Sequence, residues 1–146
     1  MKKVITILGD SLSMARSENG IKMKNLYPFL LSNILGTEFY IVNKAKRANN
    51  IVRQAHFQNI YDDILTTESD YFVVQLGIVD CAPRIFSERQ RKILNILRPK
   101  LLSEHIIKIK SKYRFFFTKN FPKTYVPREI FLRNYKHIVE TILVDT

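Results

Sequence analysis

The chain has one cysteine, four glycines, few acidic residues and no apolar run long enough to span a bilayer. Each shortage excludes something. A lone Cys81 cannot close an internal disulfide, so the fold must hold without one. The opening Met1-Lys2-Lys3 is followed by only five apolar or near-apolar residues before Gly9-Asp10, which reads as a strand and not as a signal-peptide core. With the single cysteine, this points to the cytoplasm. So few glycines, with five prolines and no low-complexity tract, argue against disorder. His, Cys, Asp and Glu nowhere recur at metal-ligand spacing, and no glycine-rich loop is suited to phosphate. No metal or cofactor is therefore expected.

What is present is the composition of a folded protein. A length of 146 residues, 46% hydrophobic and 25% charged, predicts one domain with a single sizeable core. The charge is lopsided. Residues 1–80 hold 9 Lys and Arg against 8 Asp and Glu, whereas residues 81–146 hold 15 against 5, within a total of +11. Such asymmetry marks either a surface for nucleic acid, anionic lipid or acidic glycan, or simply solvated helix faces written in lysine. No nucleic-acid motif accompanies it, so nucleic acid is not expected as a partner.

The chain is organised around Lys3-Val4-Ile5-Thr6-Ile7-Leu8-Gly9-Asp10-Ser11-Leu12-Ser13. A β-branched run of strand length stops in Gly-Asp-Ser, which places a hydroxyl at the carboxyl end of the first strand. Chemistry in open α/β sheets gathers at such ends. Ser11 there is either a nucleophile, given a base and oxyanion donors, or one residue of a turn, which all three residue types favour.

Further along, Asn25 is expected to cap a helix from about Leu26, with Pro28 in its first turn and Gly36 at its stop. Phe39–Val42 is a short strand. Ile51, Val52, Ala55, Ile60, Ile64 and Leu65 predict a second amphipathic helix. Tyr71–Leu76, apolar on both faces, is expected to be the central strand. This β-α-β-α-β order implies a parallel sheet with right-handed crossovers. Ser87 and Gln90 form a capping-box signal. The helix they open carries Ile93, Leu94, Ile96 and Leu97, is interrupted at Pro99, and its pattern resumes to about Lys112. Tyr113–Thr118 is read as a strand or as an aromatic loop packed on the sheet. Pro127 opens a last helix through Ile130, Phe131, Tyr135, Ile138, Val139 and Ile142.

Gly9-Asp10-Ser11-Leu12 after a first strand resembles block I of the GDSL, or SGNH, hydrolase family. Asn43-Lys44-Ala45 stands where that family has Asn-x-Gly. Gly77-Ile78-Val79-Asp80, closing an apolar strand, stands where it has Gly-x-Asn-Asp. The resemblance covers residues 3 to 84. It implies a flavodoxin-like three-layer α/β sandwich and a serine esterase. In such an enzyme, Ser11 would attack a carboxylic ester, such as an acyl group on a carbohydrate. The N–H groups of Ser11 and Ala45 would hold the oxyanion, and Asp10, Gly77 and Asp80 would lie at the substrate. Arg84, just beyond, either faces that pocket as a bidentate anion ligand or is a surface arginine. Cys81, with no cationic partner in view, reads as inert.

The departures are specific. Ala45 replaces a glycine, although its N–H still donates. Val79 replaces an asparagine and supplies no side-chain donor. No Asp-x-x-His, the family's acid and base, occurs in the chain. His56, His105 and His137 all fall in helical segments, where a lone histidine is usually structural. These departures imply either a shortened member of the family or a minimal form completed by a partner. An unpaired far edge of Tyr71–Leu76, unless covered by Tyr113–Phe117, would invite an oligomer or that partner. The alternative from another class is a non-catalytic binding protein that uses its basic C-terminal half.

Overall fold

In a computed structural model of the chain, residues 2–96 and 100–145 are described. Leu97 and Pro99, which the sequence placed at the helix interruption, lie outside them. The chain divides into two compact units, one of residues 1–79 with 128–146 and one of residues 80–127.

The first unit is built on a three-stranded parallel sheet of β1 (Lys3–Gly9), β2 (Phe39–Asn43) and β3 (Tyr71–Gln75), in the order β2-β1-β3. The expectation that Tyr71–Leu76 is central is overturned. β1 is the middle strand, with Ile5 paired to both Ile41 and Tyr71. The reason lies in burial. Residues 5–9 are buried on both faces, whereas Tyr71 and Val73 of β3 remain 48% and 37% exposed. Among the described residues β3 pairs only with β1, so its far side carries no strand.

The helices follow the sequence signals with informative exceptions. α1 (Tyr27–Leu35) starts one residue later than expected. Pro28 sits in its first turn, and no side chain caps it, Asn25 instead ending a 3-10 turn. Gly36 ends α1 at φ +67°, donating its N–H to Ser32 O, a backbone conformation that favours glycine. The expected helix over 51–65 is broken into α2 (Ile51–Gln54), α3 (Phe57–Ile60) and one π turn (Tyr61–Leu65). His56 causes the break by becoming a cap itself, its Nδ1 accepting from Gln58 N at 3.4 Å. α8 (Arg128–Asp145) packs on α2 and on the π turn, with Ile138 fully buried.

The second unit is helical: α4 (Ile78–Cys81) leads into it, followed by α5 (Glu88–Ile96), α6 (Lys100–Lys112) and α7 (Arg114–Asn120). The capping box forms as its spacing required, Gln90 N donating to Ser87 Oγ at 3.3 Å and Ser87 N to Gln90 Oε1 at 3.1 Å. Tyr113–Thr118 is neither strand nor loop. Phe115, Phe116 and Phe117 sit in α7, and Phe116 and Phe117 pack ring to ring with each other and with Phe121 at its C-terminal end, at 5.6 to 6.5 Å. β-propensity of an aromatic run reflects packing on a pleated surface, and here the rings find each other on a helix.

Candidate functional site at the strand ends

The loops after the three strands meet at the carboxyl edge of the sheet. β1 feeds β2 on one side and β2 crosses back to β3 on the other, so the gap between β1 and β3 is the switch point of the topology. Ser11 stands directly beyond it, opening a single 3-10 turn of Ser11–Ser13.

Asp10 shapes that turn. Its side chain is 2% exposed, and its Oδ1 accepts from Leu12 N at 2.8 Å, while its carbonyl accepts from Ser13 N at 3.2 Å. The Asp10 carboxylate is therefore committed to the backbone. Gly9 is required for a separate reason. A Cβ there would lie 2.8 Å from Ser13 Oγ and 3.3 Å from Ser13 Cβ, because Ser13 folds back over the end of β1.

Ser13, which the sequence reading passed over, ties the three strand ends together. It is fully buried, and its hydroxyl donates to Gln75 Oε1 at the end of β3. Its carbonyl accepts from Asn43 Nδ2 at the end of β2, at 2.8 Å. The available signals were a second serine two residues beyond the first and polar residues closing two apolar strands.

Around Ser11 itself little is engaged. Among the described residues its hydroxyl makes no hydrogen bond, and the residue is half-buried. The Ala45 N–H, expected as an oxyanion donor, gives its proton to Asn43 Oδ1 at 3.2 Å in a side-chain-mediated turn. Gly77 lies at φ +117°, and a Cβ there would meet Phe131 at 3.4 Å, so both conformation and space favour glycine. Asp80 and Arg84 belong to the second unit, Asp80 fully buried and Arg84 half-buried. His56, His105 and His137 are exposed, and none is hydrogen-bonded to Ser11.

Behind the turn runs a buried polar chain that the sequence did not announce. Asn49 Nδ2 donates to Gly9 O at 3.1 Å and to Gln54 Oε1 at 2.7 Å. Gln54 Nε2 reaches Asp63 Oδ2 at 3.0 Å, which also takes an ion pair from Lys46 Nζ at 2.6 Å. Asn49, Gln54 and Asp63 are all buried. These bonds tie Gly9 through Asn49 and Gln54 to Asp63 and Lys46, while the buried Asn49 Oδ1 has no hydrogen-bond partner among the described residues.

Beside the turn, a pocket of about 300 to 1,000 Å³ is the usual size for a ligand site. The pocket here has a volume of about 450 Å³, and its lining includes Ser13, Asn43 and Ala45 together with Met14, Leu26 and Phe29. Ser11 does not line it. The Tyr27 hydroxyl, buried near Ser13, is pushed above its ordinary pKa, chiefly by burial and further by the Asp10 carboxylate, with Ser13 pulling it the other way. Compared with protein-family models, curated proteins and solved structures, the chain matches none of them.

Proposed function

We propose that the chain is an ester-hydrolase-like domain of the GDSL/SGNH kind, with Ser11 as its nucleophile and an O-acyl group on a carbohydrate as its substrate class. The observation that carries the reading is the position of Ser11, beyond the middle strand at the β1–β3 switch point, with its hydroxyl uncommitted. The order β2-β1-β3 is also the one in which flavodoxin-like sheets set their first three strands. In this reading Ser11 Oγ adds to the ester carbonyl, a base takes its proton, and the N–H groups of Ser11 and Ala45 hold the oxyanion. The Ala45 N–H must first leave Asn43 Oδ1. A cytoplasmic location belongs to the same reading, on the strength of the single unpaired Cys81.

A second reading, a non-catalytic binding protein, is favoured by one observation. No histidine among the described residues is hydrogen-bonded to Ser11, and a serine without a base is a poor nucleophile. Chemical rescue separates the two. Imidazole added to the folded chain should raise the hydrolysis of p-nitrophenyl acetate in proportion to its concentration, and Ser11→Ala should remove that increment. An increment identical in the wild-type chain and in Ser11→Ala leaves only the binding reading.

A further inference from the structure

We propose that α7 and the end of α6 form a surface that docks on anionic lipid bilayers, with phenylalanine rings at the acyl boundary and lysines at the headgroups. Phe115, Phe116 and Phe121 are 79%, 56% and 58% exposed. Two of them belong to one cluster, because the Phe116 ring centre lies 5.6 Å from that of Phe117 and 6.5 Å from that of Phe121. Exposed apolar residues are ordinary when they stand singly, whereas a contiguous group of large ones marks a surface that another partner covers.

The charge lies at the same rings. Residues 104–123 hold six Lys and Arg against one acidic residue, Glu104. Among the described residues none of the six is in an ion pair. Lys119 Nζ lies 6.0 Å from the centre of the Phe115 ring, Lys110 Nζ 5.3 Å from that of Phe117, and Lys112 Nζ 5.8 Å from that of Tyr113. Lysine stems lie along apolar surface while their ammonium groups stay hydrated, so rings and cations together match a boundary of acyl chains and anionic headgroups.

Two features favour a bilayer over a nucleic acid. Single-stranded bases stack on open aromatic faces, but Phe116 stands at 83° to Phe117 and at 63° to Phe121, so these rings already meet edge to face. The exposed rings of α7 are also phenylalanines, which carry no polar atom into hydrocarbon. No helix among the described residues is long and apolar enough to cross a membrane, and the proposed contact is with one leaflet only. A few rings alone would bind weakly, as would a few charges, so attachment requires both.

Cosedimentation of the full chain with vesicles tests this. The chain should bind phosphatidylcholine vesicles containing about a third phosphatidylglycerol, bind pure phosphatidylcholine at least about tenfold more weakly, and come off as salt rises from about 0.1 to 0.5 M. Phe115→Ser with Phe116→Ser, and separately Lys112→Gln with Lys119→Gln, should each weaken binding about tenfold or more. Circular dichroism checks that each variant folds. Should the serine pair not fold, Phe116→Trp decides. The chain has no tryptophan, so the emission of this variant is free of background and should move to the blue on anionic vesicles only. Absence of binding, equal binding to neutral vesicles, or an emission maximum unmoved on anionic vesicles overturns the proposal. So does anionic binding that the folded serine pair leaves unchanged, which would be adsorption by charge alone. If the serine pair instead weakens binding of a thymidine oligonucleotide and spares vesicle binding, the surface is one for nucleic acid and the proposal falls. Every residue invoked lies in the second unit and Ser11 in the first, so none of these outcomes depends on the hydrolase reading.

Discussion

Ser13 Oγ donates its proton to Gln75 Oε1, joining the turn after β1 to the last residue of β3. Two residues earlier, the Ser11 hydroxyl has no hydrogen-bond partner among the described residues, although both serines belong to one 3-10 turn. The two hydroxyls therefore have opposite relations to stability. Ser13→Ala removes a buried donor and strands the Gln75 carbonyl, at a cost of about 1–3 kcal/mol. Ser11→Ala removes a hydroxyl without a partner and should stay within about 0.5 kcal/mol of the parent. Paired urea melts of the two variants check the contrast, and equal midpoints would show that the Ser13–Gln75 bond contributes nothing.

Gly9 should prove intolerant for a reason that can be undone in part. Gly9→Ala drives a methyl to 2.8 Å from Ser13 Oγ, and overpacking of this order costs about 1–3 kcal/mol. Adding Ser13→Ala removes that oxygen but leaves Ser13 Cβ at 3.3 Å, which asks for only a small shift. The double variant should thus be more stable than the sum of the single losses predicts, and strict additivity would mean that the backbone, not the hydroxyl, sets the limit.

This pair also shows what was legible in the sequence. The β-α-β-α-β order, the parallel pairing, the Ser87–Gln90 cap and the Gly36 stop follow from local chemistry and were readable residue by residue. The middle position of β1 was not. Tyr71–Leu76 looks as apolar as β1, and only the sheet order reveals that Tyr71 and Val73 stay exposed at the edge. The turn at Gly-Asp-Ser was anticipated, but its hub was placed at Ser11 when the hydrogen bonds run through Ser13. Hydrogen-bond partners 30 and 62 residues away leave no trace in local spacing. The break at His56 was hidden because an apolar period continues through it while the cap stops the helix.

The polar chain behind the turn should be costly to cut. Asp63 accepts from Gln54 and pairs with Lys46, whose side chain keeps 27% of its exposure while that of Asp63 keeps 4%. Removing the carboxylate leaves the buried Gln54 amide without its acceptor and the partly exposed ammonium to Asn59 Oδ1 and water. Asp63→Ala is therefore expected to cost about 2–3 kcal/mol, less than for a fully buried pair. Gln54→Ala, which also frees Asn49, should cost about as much, and the two losses should not add. A double-mutant cycle by thermal melting reads the coupling, and a value of zero would dissolve the network into separate contacts.

Tyr27 gives the fold a dependence on alkaline pH. Burial, with the Asp10 carboxylate, holds its hydroxyl above the ordinary value of 10.0, against the opposing pull of Ser13. The unfolded chain then releases this proton first as pH rises. The stabilisation is whole below about pH 10 and fades as pH climbs from there through the folded-state value. Tyr27→Phe should abolish this part of the alkaline decline while leaving the neutral range nearly unchanged. Melting temperatures measured from pH 8 to pH 11.5 test it, and parallel curves for the parent and the variant would show that Tyr27 titrates alike in both states.

Turnover by the chain alone should be slight. No histidine among the described residues is hydrogen-bonded to Ser11, and loss of a triad member leaves only a small residue of catalysis over water. On the proposed hydrolase reading, Val79 stands where an asparagine amide would be expected, and one lost oxyanion donor would cost about 3 kcal/mol in the barrier. The Ala45 N–H is committed to Asn43 Oδ1, so on the same reading it would have to be released before it could hold an oxyanion. The purified chain is therefore expected to hydrolyse p-nitrophenyl acetate at close to the rate in buffer, with Ser11→Ala nearly indistinguishable. Asn43→Ala releases the Ala45 N–H but also removes the bond to Ser13 O, so it should lower stability without raising the rate. His137→Ala is the informative control. His137 is exposed on α8, and its substitution should change nothing. Strong turnover lost in both Ser11→Ala and His137→Ala would instead make His137 the base.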